Sequence, residues 1–394
     1  SADLVHWQHE PLALMPDEAY DRNGCYSGSA VNNEGVLTLC YTGNVKFDDG
    51  SRTAWQCLAV EQPDGTFTKL GPVLALPEGY TGHVRDPKVW RHDGDWYMVL
   101  GAQDVQKRGK VLLFKSADLH AWTSCGEIAG LGVNGLTDAG YMWECPDLFS
   151  LDGTHVLICC PQGLAREPHR YLNTYPATWM SGAFDYARAT FDHGELNELD
   201  AGFEFYAPQT TLAEDGRRIL IGWMGVPDGE EMLQPTRAHG WMHQMTCPRE
   251  LRFRDGRLWQ TPARELAALR EDEQHWQGRA SDAPELDATR LEFELGAAHV
   301  SVDFGGALRL TLDEQGVRLE RASLKTGETL SRYWQGDVTH LRVLCDRSSV
   351  EIFINHGEGV MSSRYFPDHP ARVRFEGASD ITLRYWSLRA CMIE

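Results

Sequence analysis

Apolar and polar positions follow one repeated order along the first half of the chain. A polar motif leads into a short strand, a glycine turn and then a more apolar strand. The pattern occurs four times, with turn glycines at Gly35, Gly94, Gly153 and Gly216, so the intervals are 59, 59 and 63 residues. Units of about sixty residues with several short strands are typical of β-propeller blades. The pattern therefore predicts successive blades around one axis.

A second motif supports this repeat. The segment from Ser1 to Trp7 (Ser-Ala-Asp-Leu-Val-His-Trp) is similar to the segment from Ser116 to Trp122, 115 residues later. That distance is close to two periods, and a Pro-Asp-Gly turn at Pro63 lies between them. We therefore predict that the chain opens within the first blade, with its first residues as an outer segment of that blade.

The pattern changes after Pro262. Residues 262–277 are rich in helix formers and predict a short helix, and the polar residues 278–287 predict a linker. From Leu291 onward, apolar and polar residues alternate in evenly spaced segments, as in the half-buried antiparallel strands of a β-sandwich. The predicted divisions are a propeller over 1–262, a helical and polar linker over 263–287 and a sandwich over 288–394.

Two carboxylates stand at matching points of neighbouring repeats. Asp86 lies 8 residues before its turn glycine and Glu144 lies 9 before its own. The first strand of each blade lines the propeller axis, so these points are expected to converge on one cavity, with Arg85 beside them. The alternative is that both are turn residues, because Asp-Pro and Cys-Pro are common in turns.

Glu144 stands between a tryptophan and a Cys-Pro corner, before an apolar run. An apolar environment disfavours the charged form of a carboxylate, and the raised pKa suits a general acid that protonates a leaving oxygen. The sequence therefore makes this glutamate a candidate acid catalyst.

Composition excludes several other classes of protein. The net charge of -20 disfavours nucleic acid and anionic membranes as partners, and no apolar run is long enough to span a bilayer. The ten cysteines have no CxxC spacing and no histidine partners at zinc spacing, so we expect no metal site. Buried thiols favour a cytoplasmic location. A removed signal peptide remains open, because the sequence does not begin with methionine.

These motifs together resemble glycoside hydrolase family 32, which contains invertases and sucrose-6-phosphate hydrolases, and most of all its bacterial cytoplasmic members. The resemblance covers almost the whole chain, including a sandwich motif over 346–355. It implies an all-β fold, a five-bladed β-propeller followed by a C-terminal β-sandwich, with the first blade incomplete in this chain. The motifs that carry it are Ser27-Gly28-Ser29, Arg85-Asp86-Pro87-Lys88, Glu144-Cys145-Pro146-Asp147 and Tyr206-Ala207-Pro208-Gln209.

The resemblance implies a β-fructofuranosidase that cleaves sucrose, a terminal non-reducing β-D-fructofuranoside, with retention. Glu144 is then the acid/base and Asp86 stabilises the transition state. No cofactor or metal is implied, and the expected partner is a small sugar, not nucleic acid or membrane; the oligomeric state is open. The implied substrate-binding residues are Arg85, Tyr26 and Ser27, with Tyr206 and Trp223 as weaker candidates for the pocket wall.

Two features depart from the family pattern. The family nucleophile lies in a Trp-Met-Asn-Asp-Pro-Asn-Gly motif that residues 1–394 do not contain. The repeat places it about thirty residues before Ser1, and Asp21 is a turn residue and no substitute. Glu204 stands where relatives have Asp before Phe-Tyr-Ala, so its role is open.

Several alternatives remain at this point. Sucrose 6-phosphate is an alternative substrate, and a basic loop with Arg166, His169 and Arg170 could bind its phosphate or simply be a charged surface loop. The missing nucleophile motif leaves a truncated or non-catalytic sugar-binding relative as a second hypothesis. An inverting arabinan-type propeller hydrolase explains neither the region around Ser363 nor the sandwich. Fructosyl transfer to a sugar instead of water is also open.

Overall fold

The computed structural model describes residues 1–226, 229–296, 299–368 and 370–393, whose regular secondary structure is almost all β-strand. Contacts divide the chain into two compact units. The N-terminal unit contains Glu10–Ala165 and Tyr175–Asn197, and the C-terminal unit contains Ser1–His9, Arg166–Thr174 and Glu198–Glu394. Within the described ranges, no helix has the length and apolar character needed to cross a membrane.

The N-terminal unit consists of three antiparallel sheets, each formed by consecutive strands. The strand β1 (His6–Trp7) belongs to the C-terminal unit. The first sheet of the N-terminal unit contains β2 (Cys25–Asn33), β3 (Val36–Lys46), β4 (Arg52–Glu61) and β5 (Phe67–Leu74). The second contains β6 (Tyr80–His92), β7 (Asp95–Asp104), β8 (Gly109–Ser116) and β9 (Thr123–Gly130). The third contains β10 (Met142–Leu151), β11 (Thr154–Gln162), β12 (Thr178–Asp185) and β13 (Thr190–His193), followed by the short β14 (Asn197–Glu198).

The inner strands of the second sheet are buried on both faces. Strand β7 is buried from Trp96 to Asp104, and β8 is almost as fully buried. Such strands carry near-continuous apolar runs instead of strict alternation, because neighbouring sheets cover both faces. This is the blade packing that the sixty-residue repeat predicts.

The first strand of each sheet contains a β-bulge at the same point. The register with the second strand breaks between Tyr26 and Gly28 in β2, and the breaks in β6 and β10 follow Arg85 and Glu144. The residue after each of these two, Asp86 and Cys145, has a left-handed backbone with φ of 65° and 50°. A bulge leaves extra residues out of the ladder and redirects their side chains.

The C-terminal unit contains a fourth sheet of the same kind. It contains β15 (Tyr206–Leu212), β16 (Arg218–Met224), β18 (Arg249–Arg254) and β19 (Arg257–Pro262), and the short β17 (Gln244–Met245) pairs with β16. Two 3₁₀ helices, Glu231–Leu233 and Pro235–His239, lie between β16 and β17.

Two six-stranded antiparallel sheets complete this unit. The first contains β20 (Arg270–Arg279), β22 (Arg290–Gly296), β27 (Leu341–Asp346), β28 (Ser349–Ile354), β29 (Gly359–Arg364) and β31 (Asp380–Leu388). The second contains β21 (Leu286–Asp287), β23 (Val300–Phe304), β24 (Leu308–Asp313), β25 (Gly316–Ala322), β26 (Thr329–Gln335) and β30 (Arg372–Glu376). Inward residues such as Leu308, Leu310 and Leu312 are buried in one apolar core, as the alternation predicts.

The helix predicted over 262–277 is wrong for most of its length. A 3₁₀ helix covers only Arg264–Leu269, and residues 270–279 form β20. This strand lies at the edge of its sheet, where it pairs with β31. Most of its side chains are exposed, so it needs no apolar face, and tertiary pairing overrides the local helix propensity. A further 3₁₀ helix, Ala280–Asp282, and β21 occupy part of the predicted linker.

The similarity between the segments that start at Ser1 and Ser116 encodes a turn, not a blade strand. In the second segment Asp118 Oδ1 accepts the backbone N–H groups of residues 120 and 121, and Asp3 Oδ1 accepts those of residues 5 and 6. Leu4 and Leu119 share a left-handed backbone. The outer segment predicted for the first residues is wrong, because β1 pairs in parallel with β32 (Met392–Ile393).

Candidate active site

Neighbouring sheets of the N-terminal unit meet through residues that are 59 positions apart. Arg85 binds Glu144 Oε1 through Nη2 at 2.5 Å and through Nε at 3.0 Å. Lys88 Nζ lies 3.0 Å from Asp147 Oδ2, again 59 residues away. The structure therefore brings Arg85 and Glu144 together as equivalent residues of two sheets. The predicted correspondence of Asp86 with Glu144 is wrong by one residue, because both bulges begin after Arg85 and its equivalent Glu144.

Asp86 is nevertheless held beside Glu144. Its Oδ2 accepts the backbone N–H of Cys145 at 2.9 Å, and its own N–H donates to Thr42 Oγ1 at 3.0 Å. The residue is only 5% exposed. Burial raises the pKa of Asp86 to about 6, with a further contribution from the charge of Glu144, while Arg85 opposes the shift.

Both carboxylate oxygens of Glu144 are engaged by donors. Arg85 binds Oε1, and Gln162 Nε2 donates to Oε2 at 2.7 Å. The neighbouring Trp143 does not enclose the carboxylate, because successive residues of a strand point to opposite faces. Trp143 is fully buried in the core, where its Nε1 donates to Ala139 O. The apolar environment predicted for Glu144 is therefore wrong, and the carboxylate lies in a polar, charged one.

The burial of the ion pair also affects its cation. Burial lowers the pKa of Arg85, but the charges of Glu144 and Asp86 outweigh it and raise that pKa overall. Arg85 as a whole is only 7% exposed. The pair is therefore a charged, hydrogen-bonded unit in which the arginine fixes the direction of the carboxylate.

A second arginine extends this network toward the first sheet. Arg52 Nη1 lies 3.3 Å from His83 Nδ1, and Arg85 Nη1 lies 3.1 Å from the same atom. Arg52 Nη2 donates to Asn44 Oδ1 at 2.5 Å, and its guanidinium lies 5.9 Å from the ring of Tyr26. Burial, together with the charges of the two arginines, lowers the pKa of His83 to about 4. The ring is therefore neutral at physiological pH.

Sequence reasoning missed His83, Arg52 and Gln162. The repeat contained a signal for the last of these, because Asn44, Gln103 and Gln162 follow one another at intervals of 59 residues. All three amides lie late in, or at the end of, the second strand of their sheet. No equivalent pattern marks the other two, whose importance depends on contacts between sheets.

The remaining predicted residues have different positions. Ser27 is exposed at the bulge of β2, next to the half-buried Tyr26. Tyr206 and Trp223 belong to the C-terminal unit, where they are cross-strand partners in β15 and β16. Tyr206 is 4% exposed, and the Trp223 ring packs edge-on at 4.7 Å from His243. The part of these four residues in substrate binding stays a prediction.

Glu204 has contacts within its own unit that account for it. Its Oε2 accepts from Arg321 Nη1 at 3.0 Å and from the backbone N–H of Arg364 at 2.8 Å. A carboxylate with a bidentate arginine and a backbone donor is well satisfied. The glutamate therefore links β15's leading segment to the strands of the sandwich.

The basic loop is partly neutralised by its own neighbours. Arg170 lies 3.7 Å from Glu167 Oε2, and its guanidinium stacks 4.7 Å from the ring of Tyr171. His169 packs edge-on against Tyr333. A role for this loop in phosphate binding stays a prediction. Across the described residues, no cluster of three or more His, Cys, Asp or Glu side chains has the geometry to hold a metal ion.

Two models of one protein family together match most of the chain. The N-terminal domain of glycosyl hydrolases family 32 matches residues 1–262, and the C-terminal domain of the same family matches residues 270–387. The chain belongs to glycosyl hydrolase family 32. This membership confirms the prediction of a glycoside hydrolase with a β-propeller followed by a β-sandwich.

Similar proteins cover the whole chain. A sucrose-6-phosphate hydrolase from Salmonella typhimurium is 67% identical, and the match covers 100% of this chain and 84% of that protein. The solved structure of a sucrose-6-phosphate hydrolase from Lactobacillus gasseri superposes with a TM-score of 0.88 at 30% identity. The match covers 100% of this chain and 84% of that one. A β-fructofuranosidase from Bombyx mori gives a TM-score of 0.87 at 31% identity, and the match again covers 100% of this chain and 84% of that one.

Proposed function

We propose that this family 32 hydrolase cleaves the bond between fructose and glucose in sucrose or sucrose 6-phosphate, as a terminal β-D-fructofuranoside. The observation that carries the proposal is the arrangement of Glu144. Its carboxylate is oriented by Arg85 and Gln162, and its neighbouring peptide N–H is bound by Asp86. One carboxylate is thus aimed by fixed donors, as an acid/base catalyst requires, and a second carboxylate is held beside it.

Glu144 acts as the acid/base in this proposal. In its protonated form it donates a proton to the glycosidic oxygen while the bond from that oxygen to the anomeric carbon breaks and a nucleophilic carboxylate bonds to the same carbon, and glucose or its phosphate leaves. As a carboxylate it then takes a proton from the water that releases fructose. Asp86 stabilises the positive charge that develops on the fructose ring. The retaining route also needs a nucleophilic carboxylate, and none of the residues described at this site is assigned that role.

Sucrose 6-phosphate is the second candidate substrate. The relative at 67% identity and the Lactobacillus structure are both named sucrose-6-phosphate hydrolases. Comparison of kcat/KM for the two sugars decides between them. If the protein prefers the phosphorylated sugar and Arg166→Ala and Arg170→Ala remove that preference, the basic loop recognises the phosphate group. Equal kcat/KM values for the two sugars would leave sucrose as the substrate.

The acid/base role is tested with Glu144→Gln, which preserves shape and removes the proton. We expect kcat for sucrose to fall at least about 100-fold, as for a lost general acid. A fructoside with a much better leaving group should lose far less in its bond-cleaving step, because its departure needs little protonation. Glu127→Gln is a matched control, since Glu127 pairs with Lys110 in β8.

Two outcomes would contradict the proposal. Unchanged sucrose turnover in Glu144→Gln would exclude this residue as the acid/base. Tight sucrose binding by the wild-type protein without hydrolysis of either sugar would support the alternative of a sugar-binding relative. Glucose release measured beside calorimetric binding separates these results.

A further inference from the structure

His83 has a position in the N-terminal unit that the proposed acid/base mechanism does not use. It lies at the irregular start of β6, where the register with β7 breaks between Tyr80 and Val84. Its backbone N–H donates to Thr81 Oγ1 at 3.3 Å, and that hydroxyl in turn donates to Gln103. The segment before Arg85 is therefore anchored independently of the ladder.

The protonation state of the His83 ring follows from its partners. Nδ1 contacts Arg85 Nη1 at 3.1 Å and Arg52 Nη1 at 3.3 Å. A guanidinium can only donate hydrogen bonds. Nδ1 is therefore an acceptor, and the proton of the neutral ring is on Nε2.

The arginine in this contact has all three nitrogens committed. Arg85 uses Nε and Nη2 for Glu144 Oε1 and Nη1 for His83. The planar guanidinium group cannot rotate without losing one of these hydrogen bonds. The second cation, Arg52, is held in place by Asn44. The imidazole thus joins two positive groups that would otherwise repel each other.

We propose that His83 is a positioning residue, whose unprotonated Nδ1 holds the Arg85 guanidinium in the orientation that aims Glu144. This inference rests on the acid/base role proposed for Glu144. His83 itself touches no reacting atom in this scheme. The charged groups that face it are Arg52, Arg85 and, through Arg85, Glu144.

The test compares three substitutions at this position. His83→Asn places an amide oxygen close to where Nδ1 stands, whereas His83→Gln places it one methylene further, near the Nε2 position. His83→Ala removes the acceptor. We expect kcat within about threefold of wild type for the asparagine variant. For the glutamine and alanine variants we expect a loss of about 10–100-fold in kcat with a smaller change in KM, because a misplaced catalytic group costs up to about 100-fold.

Melting temperatures measured beside the kinetics separate positioning from folding. Equal kcat losses in the asparagine and glutamine variants, in proportion to lowered melting temperatures, would overturn the proposal. So would an alanine variant with wild-type kcat. A wild-type protein without hydrolytic activity would contradict the proposed function, and the inference would then be judged by a second measurement. The ¹⁵N chemical shift of His83 Nδ1 at pH 6 should be that of an unprotonated acceptor, and a protonated Nδ1 would refute it.

Discussion

Replacement of Asp86 by asparagine is expected to stabilise the protein at neutral pH while it removes activity. Asp86 is only 5% exposed, and burial raises the pKa of its carboxyl to about 6 from the ordinary value of 3.8. The folded protein therefore binds this proton more tightly than the unfolded chain does. Ionisation of Asp86 costs folding free energy, and that cost is absent when the side chain is neutral.

The magnitude follows from the two pKa values of Asp86. At roughly 1.4 kcal/mol per pKa unit, the ionised side chain costs about 3 kcal/mol of stability. The cost is absent below about pH 4, increases as the pH rises, and is complete once the pH has passed about 6. Asparagine copies the neutral carboxyl and keeps an oxygen that accepts the Cys145 N–H. Asp86→Asn should therefore be more stable by up to about 3 kcal/mol at pH 7 and equally stable near pH 3.5.

The assay is thermal unfolding of both proteins at the two pH values, with sucrose hydrolysis measured in parallel. Activity should fall about 100–1,000-fold, as for other groups that stabilise a transition-state charge. Asp147→Asn is the matched control, because Asp147 is buried but paired with Lys88, and its loss should destabilise at pH 7. A variant less stable than wild type at pH 7, or one with the same gain at both pH values, would refute the argument.

Two further substitutions test contacts in the two units. Gln162→Met should lower kcat about tenfold at saturating sucrose, because the acid/base carboxylate loses a charge-assisted hydrogen bond that sets its direction; unchanged kcat would show that the amide is dispensable. Arg249→Leu should destabilise the C-terminal unit by about 3–5 kcal/mol in denaturant unfolding, because Asp200 and Glu351 become buried charges without their cation. The control is Arg252→Leu, in which an exposed arginine of an ion pair is removed, and it should change stability by less than about 1 kcal/mol.

The sequence by itself determined the strand repeat and the change of character after Pro262. It also indicated that Arg85, Asp86 and Glu144 lie close together. Its 59-residue interval matches the separation of Arg85 from Glu144 and of Lys88 from Asp147, which are bound to each other in the structure. Such periodicity is readable because each repeat packs on its neighbours in the same way. The alternating pattern beyond Leu291 likewise predicted the sandwich strands, since one face of each strand must be apolar.

Only the tertiary structure decided which side chains contact each other, and where strand pairing overrides the helix propensity of a segment. The bulge in β6 begins after Arg85, so Arg85 and not Asp86 is equivalent to Glu144. The position of a bulge depends on the pairing between strands and not on composition. His83 and Arg52 come from different sheets, so no local pattern announces their contact with Arg85. Residues 270–279 form a strand because they pair with β31 at the edge of its sheet. The free energy of that pairing exceeds the small differences in helix propensity.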